Sequence, residues 1–314
     1  MEDMASKFLE HFVSITHAMN ALGGTGLWDE EDGFYYDQLQ LNGNSIPLKI
    51  RSMVGLIPLF ATEILTENCL ATAKDFGKRM AWFRRFKPEL AQHLNFAKSS
   101  KDPTREGDCL LSAVPRARLE RILKYLLDEE EFLSPYGVRS LSKVHRNKPF
   151  VFEHEGQVHQ VAYVPGESDS GMFGGNSNWR GPVWFPVNFL LIEALERLHH
   201  FYGDDLKVEC PTGSGQLHNL AEVAQEIARR LTRLFMPDEA GHRPFYGEEQ
   251  PLYNNPHFRD LLLFHEYFDG DTGRGLGASH QTGWTGLVTN CLETLAHQRI
   301  DTLVPSSTPA IKKP

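Results

Sequence analysis

Two kinds of helix follow one another along this chain, and their alternation limits the folds open to it. A segment from about Ser52 to Leu65 is apolar nearly all round (Met53, Val54, Leu56, Ile57, Leu59, Phe60, Ile64), with Pro58 as a kink or a break. The next, from about Leu70 to Phe86, has one stripe of Leu70, Ala73, Phe76, Met80 and Phe83, with Lys74, Lys78, Arg79 and Arg84 off it. The pair recurs. From Val187, the residues Phe189, Leu190, Leu191, Ile192, Ala194, Leu195 and Leu198 cover most of a helix circumference. Residues 217–235 then carry a stripe of Leu217, Leu220, Val223, Ile227, Leu231 and Leu234, opposite Glu222, Glu226, Arg229, Arg230 and Arg233. A helix that is apolar all round needs enclosure on all sides, whereas a one-striped helix lies outside it. Two concentric layers follow, as in an α/α toroid or part of one. A loose bundle would share the composition but not the alternation, nor the long loops before the inner helices.

The remaining chain fits an all-α reading. Residues 1–22 predict a helix with Phe8, Phe12, Ile15, Met19 and Leu22 on its apolar face, ended by Gly23, Gly24 and Gly26. Pro115 opens a helix through about Leu127. Strand signal is confined to one small hairpin, near 150–154 and 158–164, turning at Glu155-Gly156. A last helix starts near Gly283, and residues 304–314 read as a disordered tail after one unit spanning 1–303.

Several function classes drop out. The net charge is −9 and no basic run stands out, which argues against nucleic acid. Cys69, Cys109, Cys210 and Cys291 are far apart, without a CxxC. That opposes a zinc site or a disulfide framework and points to a reducing, cytoplasmic setting. The first residues, MEDMASKFLEHF, lack the basic start and apolar core of a signal peptide, and no run reaches membrane-spanning length. No metal, cofactor or membrane partner is expected.

Chemistry concentrates in three places. The long loop GESDSGMFGGNSNWRGPVW puts Trp179, Arg180 and Trp184 before the apolar helix. Indoles stack on the C–H faces of sugars and guanidinium forks bind hydroxyls or carboxylates, although core indoles and a capping arginine would look the same. Glu167 and Asp169 in that loop are pocket acids or loop anchors. In GLWDEEDGFYYD, four acids lie between Trp28 and the aromatics Phe34, Tyr35 and Tyr36. The third place is HEYFDGDTGRGLGASHQTGW, from His265 to Trp284. Glu266 there follows an apolar run and could act as a general base, or could only pair with a cation. HEYFD is not HExxH. A calcium loop counted from Asp269 would need a glutamate where His280 stands, and the glycines follow no βαβ strand.

The blocks LWDEEDGFYYD, PLKIRSMVGLIPLF, YGVRSLS, VPGESDSGMFGGNSNWRGPVWFPVNFLL and HFRDLLLFHEYFDGDTGRGLGASHQTGWTGLV resemble, in order, the C-terminal catalytic part of glycoside hydrolase family 63, above all its bacterial, non-secreted members. The resemblance implies an (α/α)6 barrel and inverting hydrolysis of α-glycosidic bonds in oligosaccharides or small glycosides, including α-glucosides and mannosylglycerate. It implies that Glu266, ahead of Gly283-Trp284-Thr285, is the general base. Trp28, Asp29, Trp179, Arg180, Trp184, His280 and Trp284 match positions near the family's sugar pocket. The family's general acid is an Asp upstream of the block at 26–37, so it is expected to be absent from this chain. With seven or eight helices in place of six pairs, the expected fold is an incomplete toroid, and the missing N-terminal part of the enzyme is an expected partner. The alternative is a non-catalytic carbohydrate-binding or interaction module derived from such a barrel.

Overall fold

The computed structural model describes residues 2–21, 26–88, 108–167, 180–247, 255–258 and 260–303. The fold is predominantly helical with several small antiparallel hairpins. The tail expected at 304–314 lies outside the described residues, as do Asp169 and Trp179.

Helix α1 (Glu2–Ala21) opens the chain. Short pairs follow: β1 (Trp28–Asp29) with β2 (Phe34–Tyr35), and β3 (Asp37–Leu41) with β4 (Asn44–Leu48). A 3-10 segment, Met53–Phe60, leads into β5 (Thr62–Leu65). Helices α2 (Glu67–Thr72) and α3 (Lys74–Phe86) come next, and β6 (Cys109–Ser112) returns to pair with β5. After α4 (Arg116–Leu126), β7 (Leu133–Ser134) pairs with β8 (Gly137–Val138). Next, β9 (Phe150–His154) pairs with β10 (Gln157–Val161). The second half holds α5 (Phe185–Tyr202), β11 (Lys207–Glu209) with β12 (Leu217–Asn219), and α6 (Leu220–Arg233). It ends with β13 (Tyr267–Phe268), β14 (Gly275–Leu276), α7 (Thr282–Thr285) and α8 (Val288–Leu303).

Helix α5 packs along α6, and α6 along α8; the far side of α5 meets β5 and the 3-10 segment. The main core joins Leu191, Leu195 and Leu198 of α5 to Val223, Ile227 and Leu231 of α6 and Leu119, Ile122 and Leu126 of α4. A second cluster, Leu9, Val13, Phe76, Met80 and Phe83, joins α1 to α3.

The sequence expectations need six corrections. Seven two-stranded pairings exist among the described residues, where one hairpin was expected. The hairpin at 150–161 forms as expected on its Glu155-Gly156 turn; the other strands run two to five residues, too short for an alternation to register. The segment 52–65 is not an α-helix. Pro58 cannot donate to a helical ladder, the turn closes at Ala61, and Thr62–Leu65 pairs with β6 instead. The segment 70–86 breaks at Ala73 (φ −92°, ψ 70°). There the Glu2 carboxylate of α1 accepts from the Asp75 and Phe76 amides and so caps α3 from outside. Helix α1 buries Leu9, Val13, Thr16 and Asn20, leaving Phe8 and Ile15 exposed. The shift by one position follows Asn20, whose amide donates to Ala113 O and whose oxygen accepts from Tyr35 Oη. Leu217 lies in β12, because Asn219 and Glu222 form a capping box that starts α6 at Leu220. Arg230 is buried rather than outward, between Glu226, Glu129 and the carbonyl of Ser134.

Helix α5 begins two residues before Val187, with Pro186 in its first turn. It is enclosed along most of its surface, but Leu190 is 46% exposed. Asn188 holds its first turn in place. Its Oδ1 accepts from Val138 N at 2.6 Å, and its Nδ2 donates to Val138 O and Trp184 O at 3.0 Å each. The side chain thus replaces a strand partner for Val138. Asn188→Ala strands a buried amide and carbonyl, and should lower unfolding free energy by about 2–4 kcal/mol in a denaturant titration. A loss below about 0.5 kcal/mol would contradict this role.

Candidate active site

The site is built from three extended segments that meet at one residue. Val183 bridges Arg139 on one side and Phe268 on the other. Its amide donates to Phe268 O at 2.8 Å and its carbonyl accepts from Phe268 N at 3.0 Å. Val183 and Phe268 are fully buried. The bridge fixes the β13–β14 hairpin against the chain that enters α5. Gly270 N donates to Pro165 O and Val164 N to Arg180 O, both at 2.7 Å, so the end of the β9–β10 unit joins the same frame.

Glu266 sits directly before β13. Its amide donates to Ala278 O at 2.9 Å, the Ala278 amide lies 3.3 Å from Glu266 Oε2, and Trp284 Nε1 donates to Glu266 O at 3.0 Å. A parallel bridge between Phe264 and His280 closes the loop behind it. The carboxylate is half-buried, with no Lys, Arg or His paired to it among the described residues. His265, next to it, has its pKa lowered by burial, so its ring favours the neutral form.

An aromatic wall stands beside Glu266. Trp184 stacks on Tyr267 at 4.9 Å between centroids and 27° between planes, and meets Trp284 edge-on at 6.3 Å and 78°. Trp184 and Tyr267 are buried; Trp284 is 38% exposed and presents the open ring. Trp184 therefore supports the wall and Trp284 faces outward. Tyr267 Oη donates to Glu167 Oε2 at 3.2 Å. His280 is exposed, and its backbone pairs with Phe264, two residues before Glu266.

The turn of the hairpin is self-contained. Asp269 Oδ1 accepts from the amides of Asp271 (3.0 Å) and Thr272 (2.8 Å). Asp271 leaves the turn to accept from Tyr163 Oη at 2.9 Å and to pair with Arg146 and, at 3.5 Å, with buried Arg139. So the aspartates of DGDTG fold a turn and clamp it. Among the described residues, no three His, Cys, Asp or Glu side chains gather to hold a metal.

The structure thus brings Glu266, Trp184, Trp284 and His280 into one neighbourhood. Arg180 is buried at its edge and contributes its backbone to the frame. Trp28 and Asp29 have other partners. The Trp28 ring is buried, with the Arg118 guanidinium 4.7 Å and that of Arg121 5.5 Å from its centre. Asp29 and Asp32 share Lys49 at 2.9 and 3.3 Å. Burial would raise the Asp29 pKa, but the Asp32 amide and Lys49 outweigh it and the net shift is downward. The acid run is a charge-compensated turn. Tyr163, Arg139, Arg146 and Lys49 had no signal in the sequence, because each acts on a segment distant in the chain.

No helix among the described residues is long and apolar enough to cross a membrane. Residues 109–285 match the mannosylglycerate hydrolase MGH1-like glycoside hydrolase domain. An uncharacterized protein of Saccharomyces cerevisiae is 52% identical over 302 residues, which are 91% of this chain and 28% of that protein. A probable mannosyl-oligosaccharide glucosidase of Schizosaccharomyces pombe is 28% identical over 175 residues, 56% of this chain and 15% of its own length. The chain therefore spans well under a third of either relative. Among solved structures, a GH63 mannosylglycerate hydrolase from Thermus thermophilus in complex with glucose aligns over 85% of this chain and 36% of its own, at 17% identity and a TM-score of 0.37.

The clamp on the hairpin has a pH signature. Burial raises the Asp271 pKa, but hydrogen bonds from Arg146 and Tyr163 and the charges of Arg146 and Arg139 lower it further, for a net depression below 3.8. A depressed carboxylate stabilises the fold above its unfolded pKa, and that contribution is lost as pH falls through the folded value. Asp271→Asn should melt earlier than wild type at pH 7, and the difference should close as pH drops below about 4. A gap that persists unchanged at pH 3 would contradict the clamp.

Proposed function

The chain belongs to the mannosylglycerate hydrolase MGH1-like glycoside hydrolase domain family, and on that premise we propose that it is the C-terminal catalytic portion of an inverting α-glycosidase with an (α/α)6 architecture. Its substrates are α-glucosides or related α-glycosides, as oligosaccharides or small molecules. We also assign it to a reducing, cytoplasmic setting, on the wide spacing of its four cysteines in the sequence.

The observation that carries this reading is the placement of Glu266. A carboxylate with no cationic partner among the described residues stands at the foot of an exposed indole, and that indole is tied to the same residue's carbonyl. Trp284 would take the C–H face of a pyranose ring, with Trp184 and Tyr267 holding it upright. The anomeric carbon would then lie within reach of a water held by Glu266. In inversion, that carboxylate takes a proton from the water while the oxygen attacks the anomeric carbon from the side opposite the leaving group. The C–O bond to the leaving group breaks, and its oxygen takes a proton from a second carboxyl about 6.5–9.5 Å from the first. We assign that acid to polypeptide N-terminal to this portion; the greater length of the relatives is consistent with such a segment.

A fluoride leaving group needs little help from an acid, so α-glucosyl fluoride and α-mannosyl fluoride test the base separately. Glu266→Gln should reduce turnover by about 10²- to 10⁴-fold, with folding unchanged by circular dichroism. Undiminished turnover in that variant would remove Glu266 from the mechanism.

A further inference from the structure

The turn that presents Trp284 also holds the chain that presents Glu266. Three consecutive carbonyls ahead of β13 each accept a hydrogen bond from residues 281–285. Phe264 O accepts from Gln281 N at 2.7 Å, His265 O from Thr285 Oγ1, and Glu266 O from Trp284 Nε1 at 3.0 Å. The turn is closed by the amides of Trp284 and Thr285, which both donate to Gln281 O, and α7 rests on α5. The segment carrying Glu266 is thus tied to a short helix that has its own support.

The three ties do different work. Gln281 donates from its backbone, and the Trp284 ring is 38% exposed and open to a ligand. Thr285 is fully buried. Its hydroxyl holds the middle carbonyl, which belongs to the peptide unit joining His265 to Glu266. The N–H of that same unit donates to Ala278 O at 2.9 Å. A peptide unit is planar, and the Glu266 Cα lies in its plane. Bonds at both polar ends therefore fix how the plane is turned, and with it the direction in which the Glu266 side chain leaves the backbone. The carboxylate has a further stop beyond that point. The Ala278 amide lies 3.3 Å from Oε2, and a Cβ added to Gly277 would stand 2.7 Å from Oε2 and 3.0 Å from the Glu266 Cβ. The side chain is held from residues 277–278 and its peptide from Thr285.

We propose that Thr285 is a positioning residue for Glu266: its buried hydroxyl fixes the His265–Glu266 peptide plane and so keeps the carboxylate in register with the Trp284 ring. This rests on the reading of Glu266 as the general base and adds the residue that aims it. Valine would fill the same buried space, so the hydroxyl is the part of Thr285 that the site uses.

The test compares the full chain as wild type, Thr285→Val, which keeps the shape and removes the donor, and Thr285→Ser, which keeps the donor. It has two readouts: turnover of α-glucosyl fluoride, and solvent exchange of the Trp284 indole N–H by NMR, with that resonance assigned by Trp284→Phe. Thr285→Val should lower kcat by about 10-fold or more, since a misplacement of about 1 Å can cost about 100-fold. KM should move by less than about twofold, because the ring wall is untouched and the lost interaction serves the transition state. The indole N–H should exchange about 10-fold faster as the peptide carrying its acceptor loosens. Thr285→Ser should recover most of both losses, whereas a residue that only stabilised the fold would leave kcat of the folded protein unchanged. If Thr285→Val does not fold, Thr285→Cys, with a weaker donor of similar size, carries the same comparison. An indole that exchanges at the wild-type rate in the donor-less variant would overturn the proposal, whether or not the fluoride is turned over. So would an unchanged kcat, or a serine variant as impaired as the valine one. If wild type turns over no fluoride while the indole responds as expected, the hold of Thr285 on the Glu266–Trp284 pair stands and the hydrolase reading falls.

Discussion

The candidate site depends on the reciprocal pair of hydrogen bonds between Val183 and Phe268. Helix α5 by itself would place a Trp at its start and nothing opposite. The hairpin by itself would be a two-residue pairing, far too short to persist in water. Joined through Val183, with Arg139 on its other side, they form a buried three-segment strip. Trp184 follows Val183, Glu266 and Tyr267 precede Phe268, and Trp284 is tied to the same place through its hydrogen bond to Glu266 O. Burial of Val183 and Phe268 keeps water from competing for those bonds, and this gives such a small element its rigidity.

Around this strip, side chains take over backbone work. Asn188 stands in for a neighbouring strand, Asp269 folds the tip of the hairpin, and Asp271 ties the tip to Arg139, Arg146 and Tyr163. A short hairpin is thereby held at its base, its tip and its flank. The outcome is a carboxylate and an exposed indole on a frame whose parts come from segments more than 100 residues apart. Preorganisation of this kind is what a general base needs, since a misplacement of about 1 Å can cost a large part of the rate.

Much of this was legible from the residues. Helices α5 and α6 followed from their periodicity, the hairpin at 150–161 from its turn residues, and the site neighbourhood from Glu266, Trp184 and Trp284. Other features were hidden for physical reasons. Pairing of β5 with β6 depends on a partner some 45 residues away, so an apolar run ending in Thr62–Leu65 reads as helix until that partner is known. The buried face of α1 follows hydrogen bonds of Asn20 to Ala113 and Tyr35, which no hydrophobic count includes. Trp28 is placed near a sugar pocket by the resemblance alone, and the sequence gives no sign that its buried ring lies under Arg118 and Arg121 from α4. Charge compensation across the fold has no local trace, so Lys49 and the acids it neutralises could not be joined from the sequence.

The central claim is that Glu266 activates water on the face of the sugar opposite the leaving group. The most direct measurement is proton NMR of the sugar first released from an α-glucosyl fluoride by the purified chain, recorded before mutarotation. An inverting base predicts that β-glucose appears first. Release of α-glucose would contradict the account, because it would require a nucleophile on the enzyme in place of an activated water.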